Sequence, residues 1–190
     1  MEMYVRLSET SRSLGLLWLI GCSTGFRVSD LIGLKVFEVF SGSLRVVEGK
    51  TGKMRHMRFP ESVREAVNVQ IEHVGLRGEE YLFYGRERGK PITRQYAYRV
   101  FKAVGEEMGL TGLGTHSMRK TYAYNVLLAS KNFEHVKESL NHAYLSTTFL
   151  YLIDGLTALL PKAGKLGIPP SIVEGWEIRN TVVNGDNDGY

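Results

Sequence analysis

Cysteine is almost missing from this chain of 190 residues: Cys22 is the only one. No intrachain disulfide can form, and a cysteine-rich zinc site is excluded. A reducing, cytoplasmic setting is the simplest expectation. Membrane-length apolar runs are missing as well. Leu14 to Cys22 is apolar but too short to cross a bilayer, and it lacks a signal-peptide cleavage pattern. It reads as a core helix, and no membrane partner is expected. Internal repeats and low-complexity blocks are absent too. Proline is scarce, at five residues, and Pro161, Pro169 and Pro170 fall late in the chain. There, with Gly164 and Gly167, they interrupt regular structure.

What is present suits one globular domain with a sizeable core: 43% hydrophobic and 23% charged residues. The formal charge is +4, which favours a polyanionic partner such as nucleic acid. That charge is uneven. After Tyr151 come Lys162, Lys165 and Arg179 against Asp154, Glu174, Glu177, Asp186 and Asp188, a balance of −2 that leaves +6 on the rest.

Ser8 to Ser11 offers capping hydroxyls, so a helix is expected from about Glu9 to Cys22, broken by Ser23-Thr24-Gly25. A short helix carrying Val28, Leu31 and Ile32 follows. Ser43–Val47 and Met54–Phe59 read as strands of a hairpin turning through Gly49–Lys53. Pro60 ends it, and apolar spacing predicts a helix over Glu61–Val74. Tyr81–Tyr84 reads as a short strand and Gly85–Lys90 as a polar loop. Helices are then expected over Thr93–Met108, Ser117–Ala129, Phe133–Leu140 and Ser146–Ile153. The order is mostly α with one small antiparallel sheet, an α+β class. Residues 1–160 are expected to form one domain. Residues 161–190 form a tail, with Asn184–Tyr190 disordered.

Three segments occur together and in order: Thr24-Gly25-Phe26-Arg27-Val28-Ser29-Asp30-Leu31, then His116-Ser117-Met118-Arg119, then Leu140-Asn141-His142 running through Thr147-Thr148 to Tyr151. They resemble the signatures of the tyrosine recombinases, the phage integrase family: T-G-x-R-x-S-E/D-L, H-x-x-R, and L-G-H-x-x-x-x-T-T-x-x-Y. H-x-x-R alone is a weak match. All three segments, with a lysine-bearing hairpin between the first two, make a specific joint signal over about Leu14 to Ile153.

The resemblance implies a mostly helical catalytic domain with a small antiparallel sheet. It also implies cleavage and rejoining of double-stranded DNA through a 3′-phosphotyrosyl link. Tyr151 would be the nucleophile. Arg27 and Arg119 would offer planar, always-charged donors to the phosphate oxygens of a highly charged transition state. Loss of one such donor costs about 3–4 kcal/mol of barrier. Lys50, in the hairpin turn with Lys53, would protonate the leaving 5′ oxygen as general acid. His116 and His142 would hydrogen-bond the phosphate or assist proton transfer at Tyr151. Asp30 would orient Arg27. No metal or other cofactor is implied, and the sequence shows no obvious carboxylate cluster to hold a metal. A homo-oligomer on DNA, a tetramer, is the implied assembly.

Each residue also has a plainer reading. Tyr151 sits among Phe149, Leu150 and Leu152, where most tyrosines pack. Lys50 and Lys53 could be ordinary turn residues, and Asp30 a helix-start residue. Arg94, Gln95, Tyr98, Arg99 and Lys102 lie near one another on a helix. That mixture suits DNA backbone and groove contacts, or a merely solvated face. The basic loop with Arg86, Arg88 and Lys90 has the same status.

Departures from the pattern also matter. The helix that usually precedes the first arginine segment looks clipped, with only Met1–Leu7 ahead of Ser8. No N-terminal DNA-clamping domain fits, so the chain is either a fragment or one of the short members. Asn141 replaces the usual glycine before the histidine, and Asn tolerates the left-handed turn needed there. The rival functions are a type IB topoisomerase, with the same chemistry but no strand exchange, and a catalytically silent DNA-binding or regulatory protein. In the tail, Leu156, Leu159 and Leu160, then Ile168, Ile172, Val173, Trp176 and Ile178, could pack on a neighbouring protomer or fold back on their own domain.

Overall fold

Ser11 divides in two what the sequence suggested was one helix. A computed structural model describes residues 2–39, 42–50, 52–87, 89–110 and 112–159, with side chains as far as residue 153. In it, α1 spans Glu2–Thr10 and α2 spans Arg12–Thr24. Ser11 adopts extended backbone between them and caps nothing with its side chain. The Ser8 hydroxyl donates inward to the Tyr4 carbonyl at 2.7 Å, so it is part of α1 rather than a helix start. Met3 and Leu7 are buried, and α1 lies so close on α2 that a Cβ on Gly15 would meet Ser8 Oγ at 2.1 Å.

Helix α2 is apolar nearly all round, as a central helix must be. Leu14, Leu16, Leu17, Trp18 and Ile20 are all buried. It stops at Gly25, in the left-handed region (φ 66°), whose N–H donates to the Gly21 carbonyl. A Cβ there would also strike the Tyr122 ring. Next come α3 (Val28–Leu31) and α4 (Val36–Val39). The latter was not anticipated, being too short for a periodic signal. Backbone bonds from Val36 and Phe37 to the Glu80 and Gly78 carbonyls hold it.

The hairpin pairs β1 (Ser43–Val47) with β2 (Met54–Arg58), Ser43 opposite Arg58 and Val47 opposite Met54. The expected strand over Tyr81–Tyr84 does not form. Only isolated bridges, Lys35 to Tyr81 and Tyr84 to Pro91, occur there. Leu82 and Phe83 are fully buried, and that burial produced the strand-like pattern. Helices α5 (Glu61–Val74), α6 (Arg94–Glu107), α7 (Thr115–Ser130), α8 (Phe133–Ser139) and α9 (Leu145–Leu159) complete the described chain. Thr93 caps α6 by accepting from the Tyr96 N–H, and α7 starts early enough to carry His116 in its first turn.

Most buried residues form one core around α2. A smaller cluster of Ala123, Tyr124, Val136, Leu140 and Leu152 lies beneath α7, α8 and α9. The architecture is mostly helical with one two-stranded antiparallel sheet, an α+β class as the element order implied. Among the described residues no helix is long and apolar enough to cross a membrane. Residues 161–190, and the side chains of Leu156, Leu159 and Leu160, lie outside the described residues.

Candidate active site

The turn at Gly25 delivers Arg27 to the head of α3. Its Nη1 lies 3.1 Å from Glu48 Oε2 and 3.9 Å from Asp30 Oδ2. Neither contact has hydrogen-bond geometry, although Arg27 Nη1 is a buried atom. Glu48 follows β1 and is completely buried. Its Oε1 pairs with Arg55 Nη1 on β2 at 3.1 Å and with Arg119 Nη1 on α7 at 3.7 Å. Asn141 Nδ2 donates to its Oε2 at 3.4 Å. Arg55 is pinned further, donating to the Thr24 carbonyl at 2.8 Å and stacking 4.2 Å over the Phe26 ring.

Arg119 is almost wholly buried. It donates through Nη1 to the Gly25 carbonyl and through Nη2 to the Leu140 carbonyl. One guanidinium thus ties the first motif to the third. Asn141, next to that carbonyl, has φ 55°, so asparagine does take the left-handed turn. Burial first, and then Arg27, lowers the proton affinity of Arg119, while Tyr151 and Glu48 oppose that.

His142 Nδ1 lies 2.9 Å from the hydroxyl of fully buried Thr148. Its ring meets the Tyr151 ring edge-on, centroids 5.6 Å apart. Burial, followed by the charges of Arg119 and Arg27, pushes its pKa down to about 4, with Lys50 adding to the effect and Glu48 countering it. His116 is also shifted down, by desolvation first and then by Arg94, Lys120, Arg119 and Arg27. Both imidazoles are therefore neutral near pH 7. Lys120 Nζ stands 5.8 Å from the centroid of the Tyr151 ring.

Lys50 is exposed in the hairpin turn. The turn is tied to α3 by the Gly49 N–H, which donates to Asp30 Oδ1 at 3.2 Å. Asp30 therefore holds the lysine-bearing turn more directly than it holds Arg27. Arg94, Gln95, Tyr98, Arg99 and Lys102 all line one groove of about 920 Å³, with His116 and Lys120 on its other wall. Lys102 is partly neutralised by Glu106 at 3.7 Å. Arg86 and Lys90 line a different groove, near Ser11 and Ser13, and Arg88 lies outside the described residues.

The structure thus gathers Arg27, Asp30, Arg119, His142 and Tyr151 at one place, with Lys50 near enough for its charge to act on His142 and His116 near enough to feel the charges of Arg119 and Arg27. Glu48, Arg55, Thr148 and Lys120 were not foreseen. A signal for Glu48 did exist. Leu44 and Val46 point inward on β1, and the two-residue period puts Glu48 inward too, where a carboxylate needs cations.

A mostly helical domain with one small hairpin, converging these groups beside a tyrosine on a late helix, is that of a tyrosine recombinase catalytic domain. The chain belongs to the phage integrase family, whose model matches residues 4–154. It is 31% identical over 137 residues to the probable integrase/recombinase YoeC of Bacillus subtilis (strain 168), covering 72% of this chain and 75% of that protein. It is also 31% identical to tyrosine recombinase XerC of Herpetosiphon aurantiacus, covering 68% of this chain but only 44% of that relative. In fold it is similar to XerA recombinase (TM-score 0.68, 22% identity, 86% of this chain and 61% of that one). It is likewise similar to lambda integrase bound to DNA (TM-score 0.64, 21% identity, 82% and 57%). The chain therefore spans less than two thirds of these recombinases other than YoeC.

Proposed function

We propose that this chain cleaves and rejoins double-stranded DNA as the catalytic part of a site-specific recombinase. The observation that carries the reading is the convergence of Arg27 and Arg119 on one buried carboxylate, beside the His142–Tyr151 edge contact. Tyr151 Oη attacks the phosphorus in line, forming a 3′-phosphotyrosyl link as the 5′ oxygen departs. The link conserves the phosphoester for rejoining when a 5′ hydroxyl attacks in turn. Arg27 and Arg119 neutralise the charge gathering on the non-bridging oxygens. Lys50 protonates the leaving 5′ oxygen. His142 and His116, both neutral, hydrogen-bond the phosphate or relay the tyrosine proton. Asp30 keeps the turn of Lys50 and the head of α3 in register. The groove along α6 carries the DNA backbone, with Arg94, Gln95, Tyr98, Arg99 and Lys102 facing it. Four copies assemble on two DNA sites, each copy supplying residues 1–160 as its catalytic domain.

The test uses nicked duplexes of randomised sequence, in which cleavage releases a short fragment and traps the adduct. Wild-type protein is expected to form an SDS-resistant complex, with Tyr151 carrying the nucleotide in peptide mass spectra. Tyr151→Phe is expected to bind DNA but form no adduct. An adduct that persists in Tyr151→Phe refutes the assignment. Relaxation of a plasmid lacking any recombination site would point to a topoisomerase instead.

A further inference from the structure

Two cations aimed at one phosphate repel each other before the phosphate arrives. Arg27 and Arg119 meet that situation here: after burial itself, the charge of Arg27 is the largest influence lowering the proton affinity of the buried Arg119 guanidinium. The element between them is Glu48. Its carboxylate is fully buried and its two oxygens divide the work: Oε2 faces Arg27 at 3.1 Å, Oε1 faces Arg55 at 3.1 Å and Arg119 at 3.7 Å. Arg55 is held by Thr24 and Phe26, so the carboxylate has a fixed backing. Asn141 Nδ2 reaches Oε2 from the third motif. A carboxylate in such a place is strongly disfavoured unless every lone pair meets a donor or cation.

We infer that Glu48 is a positioning residue of the cleavage reaction, holding Arg27 and Arg119 so that their outward edges present donors to one phosphate. Arg27 suits this arrangement particularly well. Its Nη1 is buried and ion-paired without a hydrogen bond, so its orientation depends on the charge of Glu48 rather than on a directed bond. Arg119 has backbone carbonyls as additional anchors. The carboxylate also offsets three guanidinium charges, limiting the repulsion within the site until DNA supplies its own negative charge.

The inference rests on the cleavage chemistry proposed above. A wild-type chain that forms no adduct refutes that chemistry. An active wild type with an indifferent Glu48 variant refutes only this inference. Glu48→Gln keeps the shape and removes the charge. At saturating nicked duplex, its single-turnover cleavage is expected to fall by about 10- to 100-fold, the scale of a misplaced reacting group, while DNA affinity stays within about threefold or tightens. The decisive readout is a methylphosphonate at the scissile position, which carries no negative charge for the arginines to meet. On that substrate the gap between Glu48→Gln and wild type is expected to shrink to about threefold or less. A wild-type rate on the phosphodiester overturns the inference, and so does an equal defect on both substrates, which would mark a merely structural role. If Glu48→Gln does not fold by circular dichroism, Glu48→Asp keeps the charge but shortens the reach, and the same two comparisons decide.

Discussion

Arg27 and Arg119 carry the same charge to the same place but are held differently, and this separates their roles in folding. Arg119 supplies the carbonyls of Gly25 and Leu140 with their donors; its loss leaves both buried acceptors unmatched. Arg119→Ala is expected to lower stability by roughly 3 kcal/mol, two charged hydrogen bonds at about 1.5–3 kcal/mol each before relaxation. Arg27→Ala removes an ion pair but also a repulsion, so its cost should stay near about 1 kcal/mol. Both should slow cleavage by about 100- to 1000-fold. Urea unfolding of the two variants checks the split, and equal destabilisation would contradict it. His142 gives a pH signature. Its folded pKa, about 4, lies below the ordinary value of 6.5, so the unfolded chain binds the proton more readily. The contribution is complete above about pH 6.5 and is lost as pH falls toward 4. The melting temperature of wild type should therefore drop more steeply across that window than that of His142→Asn, and the two curves should run parallel below it. Parallel curves throughout would mean that His142 is not held neutral.

At the scale of elements, α6 presents Arg94, Gln95, Tyr98, Arg99 and Lys102 to one groove. If DNA phosphates lie there, each lost contact flattens the log–log salt dependence of binding by about 0.9. Arg94→Ala and Arg99→Ala should each approach that change. Lys102→Ala should change the slope less, because Glu106 already shares its charge. Fluorescence anisotropy over a salt series measures all three, and an unchanged slope in the Arg94, Arg99 double variant would place the DNA elsewhere. Helix α6 was legible because its apolar spacing is long and Thr93 announces its start. The hairpin was legible from Gly49 and Gly52 between two alternating runs. The break at Ser11 was not, since only the packing of Ser8 on Gly15 decides it. Nor was the absence of a strand at Tyr81–Tyr84, where Leu82 and Phe83 are buried without a ladder to join. Within the site, the motif residues could be read directly because spacing marks them. Glu48 could be read only in part: the alternation of Leu44 and Val46 turns it inward, but its meaning, like that of Arg55, depends on an arginine more than sixty residues away in sequence.

At the scale of the whole molecule, α9 carries Tyr151 on the smaller core and shows much apolar surface. Phe149 (48%), Leu150 (69%) and Ile153 (42%) are exposed, while Leu152 points inward. Such a contiguous face on a helix is the kind that partners cover. The sequence continues with more apolar residues, from Ile168 to Ile178, after the connector of Pro161, Gly164 and Gly167. An exchange of that tail between protomers would couple neighbouring active sites at little cost, because the same contacts form within one chain or between two. Truncation after Leu160 should then leave cleavage of a single nicked site within about threefold of the full chain, since no described catalytic group is removed. Assembly of a complex holding two DNA sites should be lost. Sedimentation of both proteins with two-site DNA distinguishes the arrangements. Unchanged pairing of sites would remove the tail from the assembly, and an unfolded truncated chain would mean that the tail packs on its own domain, where it would cover Phe149 and Leu150 itself.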